Sequence, residues 1–271
     1  MQTSQAGSGL SIGQIVRSRR QSLGKSQLHL ALEAGISPRH LSFVETGRSN
    51  PSRDMVITIA ETLEVPLRER NVWLEVAGYA ALYRETPLDA PNMSDVSSAL
   101  RCLLDAHGTN PAFVFNRRYD IVMRNDAGRR LLSFFAPLWH GPDNILEMLL
   151  SPDGLRDSVE HWAERAAHGI ERVKRELSGP RMDEVDAVFL QRLTAAEREL
   201  PRLRKSFVVP PAGIVVPMRL QRAGFDIEFI TAMTTLGTPL DITLQELRIE
   251  TYFPATAAAR EAFRSLMDSS P

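Results

Sequence analysis

The stretch SQLHLALEAGISPRHLSFVETG at 26–47 leaves the backbone few paths. Ser26 and Ser37 each precede a short run with apolar residues at helical spacing, where a serine hydroxyl can accept a hydrogen bond from an amide of the first turn. Gly35 falls between the two runs, where the chain must turn within a few residues and a left-handed conformation suits glycine. The prediction is two short helices joined by a tight turn. In the second, steps of about 100° per residue put Leu41 and Val44 on one side and Arg39, Ser42, Phe43 and Thr46 on the other. A guanidinium, two hydroxyls and an aromatic ring therefore face away from the core.

This is the helix-turn-helix pattern, and its outward set suits a DNA major groove. Arginine can take guanine bidentately there, and an apolar edge can meet a thymine methyl. The segment resembles the lambda-repressor-like, or XRE, helix-turn-helix family through RSRR at 17–20, Ser26-Gln27, AGIS at 34–37 and ETGRSNPS at 45–52. The resemblance implies that Gln27 holds a DNA phosphate and that Arg20 pairs with Glu45 as a structural element. It places base-reading positions at Pro38, Arg39 and Phe43, two of which lack the usual amide, so no base preference carries over. The candidate DNA-binding set is Gln27, Ser37, Pro38, Arg39, His40, Ser42, Phe43 and Arg48.

Charge is distributed in keeping with that reading. The 271-residue chain has a formal net charge of -1, yet up to Arg53 seven bases (Arg17, Arg19, Arg20, Lys25, Arg39, Arg48, Arg53) face two acids, Glu33 and Glu45. A near-neutral protein with one basic end fits DNA binding by that end. Its 43% hydrophobic content at this length can build two cores. No apolar run approaches about 18 residues, and 1–9 has neither the basic start nor the apolar middle of a signal peptide. The expectation is a cytoplasmic protein without membrane association. The single cysteine, Cys102, excludes an internal disulfide and reads as a small buried hydrophobe.

Helical patterning extends the first domain to five helices. Ile12, Ile15, Val16 and Leu23 mark the first; Ser52 caps a fourth carrying Val56, Ile59, Ala60 and Leu63; the fifth runs over 66–77 and ends at Gly78. The predicted organisation is a disordered tail at 1–9, an all-α helix-turn-helix domain at 10–80, a linker at 81–94 containing Pro87 and Pro91, and a second domain at 95–271.

Beyond the linker the period changes. AFVFN at 112–116 and DIVMR at 120–124, separated by Arg117-Arg118-Tyr119, predict a hairpin; helices follow at 125–135, 144–150, 155–177 and 182–200. Strand patterns at 213–221, 225–235 and 243–253 and a helix at 256–267 close the domain. Five antiparallel strands with a helical insert make an α+β domain of PAS-like type. RERNVWLEVAGYAALYRETPL at 68–88, PAFVFNRRYDIVMRNDAG at 111–128 and TTLGTPLDITLQELRIETYFPA at 234–255 resemble the MmyB-like transcription regulators. In that family a helix-turn-helix precedes a ligand-binding domain, and the resemblance implies a small hydrophobic ligand, a fatty acid being the known type.

The inner sheet face and covering helices offer Phe113, Phe115, Met123, Leu131, Phe134, Phe135, Trp139, Trp162, Val215, Met218, Phe229 and Met233. Each can be plain core, since any sheet needs an apolar face; together they suit a deformable apolar cavity. A carboxylate head would pair with Arg118, Arg124 or Arg129. Enzyme motifs are missing: there is no Gly-rich phosphate loop, G-x-S-x-G or H-E-x-x-H, and the acids at 183–186 read as a solvated helix start. His161 and His168, seven apart on an expected helix, give only weak metal-ligand spacing. No metal or cofactor is required. The expected protein is a non-enzymatic, ligand-responsive regulator of double-stranded DNA, a homodimer on a two-part operator. The alternative is a DNA-tethered protein-interaction module without small-molecule sensing.

Overall fold

The computed structural model of the protein describes residues 10–177, 182–200 and 217–268. The tail expected at 1–9, Val215 and the start of the strand expected at 213–221 lie outside these residues. The chain divides into two compact units, one comprising 1–85 with 240–245 and the other 86–239 with 246–271.

In the first unit α1 (Ile12–Ser22), α2 (Gln27–Glu33), α3 (Pro38–Glu45), α4 (Arg53–Thr62) and α5 (Leu67–Val76) surround Leu30, Leu41, Ile59, Leu63, Trp73 and Leu74, all buried. Ser11, Ser26, Ser37 and Ser52 cap the first four helices through their side chains, and Gly35 takes φ +65° between α2 and α3. Gly13 is needed for another reason: a Cβ on it would lie 2.1 Å from the Val44 carbonyl oxygen, so α1 can approach α3 only without a side chain. Leu23, expected to join the core, is 44% exposed; it follows the last turn of α1, where the apolar stripe has ended. Residues 240–245 complete this unit. The Ile242 amide donates to the Arg84 carbonyl at 2.8 Å, and the Leu67 amide to Gln245 Oε1 at 2.7 Å.

The described residues of the second unit contain one five-stranded antiparallel sheet. Its strands are β1 (Ala112–Phe115), β2 (Ile121–Arg124), β3 (Met218–Arg222), β4 (Phe225–Thr234) and β5 (Arg248–Pro254), in the order β2-β1-β5-β4-β3. Helices α6 (Ser94–Ala106), α7 (Asp126–Phe135), α8 (Ile145–Leu150), α9 (Trp162–Leu177), α10 (Glu184–Glu199) and α12 (Ala257–Asp268) accompany it. Asn125 joins several of these elements. Its buried side chain accepts from the Gly128 and Ala112 amides and donates to the Leu104 and Asn110 carbonyls, which uses its amide fully at the start of α7.

Several expectations need correction. The strand predicted at 243–253 begins only at Arg248, because Ile242–Glu246 forms a short helix, α11, whose Thr243 amide is held by Asp241 Oδ1 at 2.9 Å. The helix predicted from 155 begins at Trp162. Ahead of it Ser158 and Glu160 exchange backbone hydrogen bonds with Gln221 and Arg219 along β3, and His161 at φ 54° breaks the path. Cys102 lies on an exposed face of α6 and is no core residue. Asp186, taken for a solvated acid, is buried and bound by Arg117 at 2.6 Å and Arg118 at 3.0 Å, while Asp183 caps α10.

Candidate DNA-binding face and ligand cavity

The outward side of α3 carries Arg39, exposed, with its guanidinium 5.4 Å from the centroid of the half-buried Phe43 ring. That stacking holds a flexible cation on a rigid ring. Ser37 is occupied as the cap, accepting from the His40 amide at 3.1 Å, and Pro38 opens the helix. Ser42 is half-buried, whereas Thr46 donates its hydroxyl back to the Ser42 carbonyl at 2.7 Å. Arg48 is exposed just past the helix, where its amide donates to the Phe43 carbonyl at 2.8 Å.

Behind this face lies a buried polar cluster. Arg20 donates to both oxygens of Glu45, at 2.6 and 2.9 Å, and to the Lys25 carbonyl at 2.6 Å; Gln27 Nε2 donates to Glu45 Oε2 at 2.7 Å. Burial alone would raise the Glu45 carboxyl. The hydrogen bonds from Arg20 and Gln27 and the Arg20 charge outweigh it and hold the pKa below the ordinary value. The recognition helix is thereby fastened to α1 and α2 through a single carboxylate.

Within the second unit, the inner sheet face and the helices over it border a partly open cavity of about 450 Å³, within the range of small-molecule sites. Phe113, Met218, Leu220 and Met233 come from the strands, Leu131 and Leu132 from α7, and Ile145, Leu146 and Leu149 from α8. The polar part of the lining is Arg165, His168, Arg172 and Arg175 from α9 and Glu250 and Tyr252 from β5. Arg165 and Arg172, seven apart, share a face of α9, as do Glu250 and Tyr252, two apart on β5.

The cavity takes in only part of the predicted lining. Phe113, Leu131, Met218 and Met233 border it. Phe115, Phe135 and Phe229 are in the solid core, with Phe229 edge-on to Phe263 at 5.4 Å, and Phe134 packs against that core. Met123 on β2 is not among the lining residues. Trp139 is tied to the Pro142 carbonyl at 3.0 Å, and Trp162 lies beneath the Arg156 guanidinium at 4.3 Å. The expected head-group arginines are occupied elsewhere: Arg118 with Asp120 and Asp186, Arg124 with Asp143, Arg129 with Asp126. Sequence reasoning passed over Arg165, Arg172, Glu250 and Tyr252. The available clue was a glutamate inside a strand, two residues from a tyrosine on the same face.

The family model for the MmyB-like transcription regulator ligand binding domain matches 96–266, and a helix-turn-helix model matches 16–70. The chain belongs to the MmyB-like transcription regulators. It is a DNA-binding regulator with a ligand-binding domain, and both matched families are regulatory or binding modules. A comparison with curated proteins finds no match. No described helix of this MmyB-like regulator is long and apolar enough to cross a membrane.

Proposed function

We propose that this MmyB-like regulator binds a specific DNA operator as a cytoplasmic homodimer and that a fatty acid, or an amphiphile like it, changes its affinity for that operator. The single observation that carries the sensory reading is the cavity: about 450 Å³, mostly apolar, with arginines in its lining. The order β2-β1-β5-β4-β3 supports viewing the domain as PAS-like. On the DNA side, Arg39 reads a base and Arg48 holds the backbone. Gln27 has two amide donors, and the one not given to Glu45 can meet a phosphate. Pairing two copies doubles the short site that one recognition helix can read. A filled cavity alone regulates nothing; the ligand must favour one conformation over another, and a tenfold change in operator affinity needs about 1.4 kcal/mol of coupling. Chain connectivity supports such coupling, because β4 and β5, which carry Met233 and Glu250 into the cavity, are joined by a segment whose residues 240–245 belong to the helical unit.

Mass spectrometry of small molecules extracted from the purified protein, followed by operator binding with stripped and reloaded protein, tests this. The expected result is a co-purified amphiphile and at least a tenfold difference in operator affinity. Identical binding by the two forms would leave a DNA-tethered interaction module. Arg39→Ala should cost about 1–3 kcal/mol on the operator and much less on random DNA; equal losses on both would remove Arg39 from base reading.

A further inference from the structure

The outward face of α3 has less polar reading capacity than its composition implies. Pro38 has no side-chain donor, and the Ser37 hydroxyl is taken up as the helix cap. Thr46 donates its hydroxyl proton to the Ser42 carbonyl, and His40 and Ser42 are half-buried. Arg39 differs. Its side chain is exposed and forms no hydrogen bond or ion pair among the described residues, so its whole fork of N–H donors is open to DNA.

Phe43, one turn further on, is half-buried but is not core. The half-buried apolar residues that pack on the helical core are Ile15, Ile36, Met55, Ile57 and Tyr79. The Phe43 ring instead lies 5.4 Å from the Arg39 guanidinium, and its carbonyl accepts from the Arg48 and Ser49 amides at 2.8 and 3.2 Å, which fixes the residue against the exit turn. A ring so held narrows the conformations of the guanidinium before DNA arrives, and less freedom is lost on binding.

The two side chains differ in what they recognise. An arginine fork matches guanine, which presents O6 and N7 side by side; cytosine and adenine present an amino donor there, and arginine has no acceptor for it. A phenylalanine ring offers no hydrogen bond and meets a thymine methyl. Because Arg39 and Phe43 are in contact with each other, the bases they meet are neighbours.

We propose that Arg39 and Phe43 act as one unit that reads a guanine together with the C5-methyl group of a pyrimidine in the adjacent base pair. This rests on the operator-binding reading above and names the base step that the operator contains. Its consequence is a sensitivity to DNA methylation. A 5-methylcytosine satisfies Phe43 as thymine does, whereas unmodified cytosine or uracil leaves the ring facing no methyl.

The test begins with duplexes selected from a randomised pool by the full-length protein at fixed salt. The guanine whose preference is lost in Arg39→Ala marks the step, and thymine is expected beside it. Affinity is then measured with 7-deazaguanine, which lacks N7, in place of that guanine, and with uracil, cytosine or 5-methylcytosine in place of the thymine. The modified guanine should cost about tenfold in the unaltered protein and little in Arg39→Ala. Loss of the methyl should cost about fourfold, the value of one methyl group removed from water, both from thymine to uracil and from 5-methylcytosine to cytosine. Both ratios should fall to about one in Phe43→Ala. Random-DNA affinity, which comes from backbone contacts, reports that the helical unit of each variant is folded. Methyl ratios near one in the unaltered protein, or a neighbour that is not a pyrimidine, would overturn the proposal while leaving the operator reading intact. Fourfold ratios that persist in Phe43→Ala would assign the methyl to another side chain and overturn the paired reading. A selection that enriches no sequence would overturn the operator reading itself.

Discussion

In the helical unit the buried Glu45 carboxylate takes two hydrogen bonds from Arg20 and a third from Gln27, whereas in the α+β unit Glu250 has the Tyr252 hydroxyl and borders the cavity. The same side chain has been driven in opposite directions: Glu45 is held below its ordinary pKa of 4.5, and Glu250 is raised to about 7. A carboxylate met by enough donors stabilises a structure in its charged form; one buried short of donors stabilises it only when neutral. The first arrangement fixes a helix in place. The second leaves a carboxyl with a single hydroxyl partner beside a cavity. The contrast is between a carboxylate that ties helices together and a carboxyl that borders a cavity.

The largest expected effect breaks the satisfied side of this comparison. Arg20→Ala leaves Glu45, 1% exposed, without its counter-charge, and removing one member of a buried pair costs about 3–5 kcal/mol. Amide exchange in the cores of α3 and α4 reads that loss directly, and a change below about 1 kcal/mol would show that the pair acts like an exposed one. The pH dependence has a defined sign. The Glu45 contribution is fully present above the ordinary value of 4.5 and is lost as pH falls through its lowered folded value. For Glu250 the sign reverses: its contribution is present below its ordinary 4.5 and is lost as pH rises through about 7. Amide exchange resolved by region should therefore show the two units responding to acid in opposite directions at these residues.

Gly13→Ala comes next. In an open helix this change would stabilise by roughly 1 kcal/mol. Here the new methyl meets the Val44 carbonyl at 2.1 Å, and a backbone atom cannot rotate away. Overpacking at such a contact costs about 1–3 kcal/mol, so the net effect should be a loss. A stabilised variant, measured by the same exchange, would mean that α1 can withdraw from α3 without breaking the Arg20–Glu45 pair.

The two units also differ in how much of them the sequence discloses. Serine caps at Ser26, Ser37 and Ser52, Gly35 and the heptad-like spacing of Val56, Ile59, Ala60 and Leu63 are local features, legible within one or two helical turns; even the Arg20–Glu45 pair followed from a family spacing. The sheet was legible as strands, but the cavity was not. Whether Phe229 lines a cavity or packs on Phe263 depends on where α12 comes to rest, and the two choices look alike in sequence. Arg118 resembled a head-group ligand until the buried Asp186 was seen to hold it. Arg165 and Glu250 are 85 positions apart, and only the folding of α9 over β5 brings their charges to bear on one another. The strand expected at 243–253 failed for a local reason, since Asp241 can cap a turn as readily as it can precede a strand.

The smallest expected effect concerns charge that the helical unit has not spent. Unlike Arg20, Arg48 is exposed and is among no ion pair of the described residues, so Arg48→Ala should leave stability within about 0.5 kcal/mol. Its place just past α3 suits a phosphate contact, which carries no sequence information. Operator and random DNA should therefore lose affinity by similar factors, and the slope of log affinity against log salt should become shallower by about 0.9, the counter-ion released by one phosphate contact. This separates Arg48 from Arg39, whose loss should fall mainly on the operator and leave the random-DNA salt slope nearly intact. A loss confined to the operator would make Arg48 a base reader. An unchanged slope on both DNAs would mean that the exposed cation does not reach the backbone, and that the basic excess of the first unit meets DNA through Arg17, Arg39 or Arg53 instead.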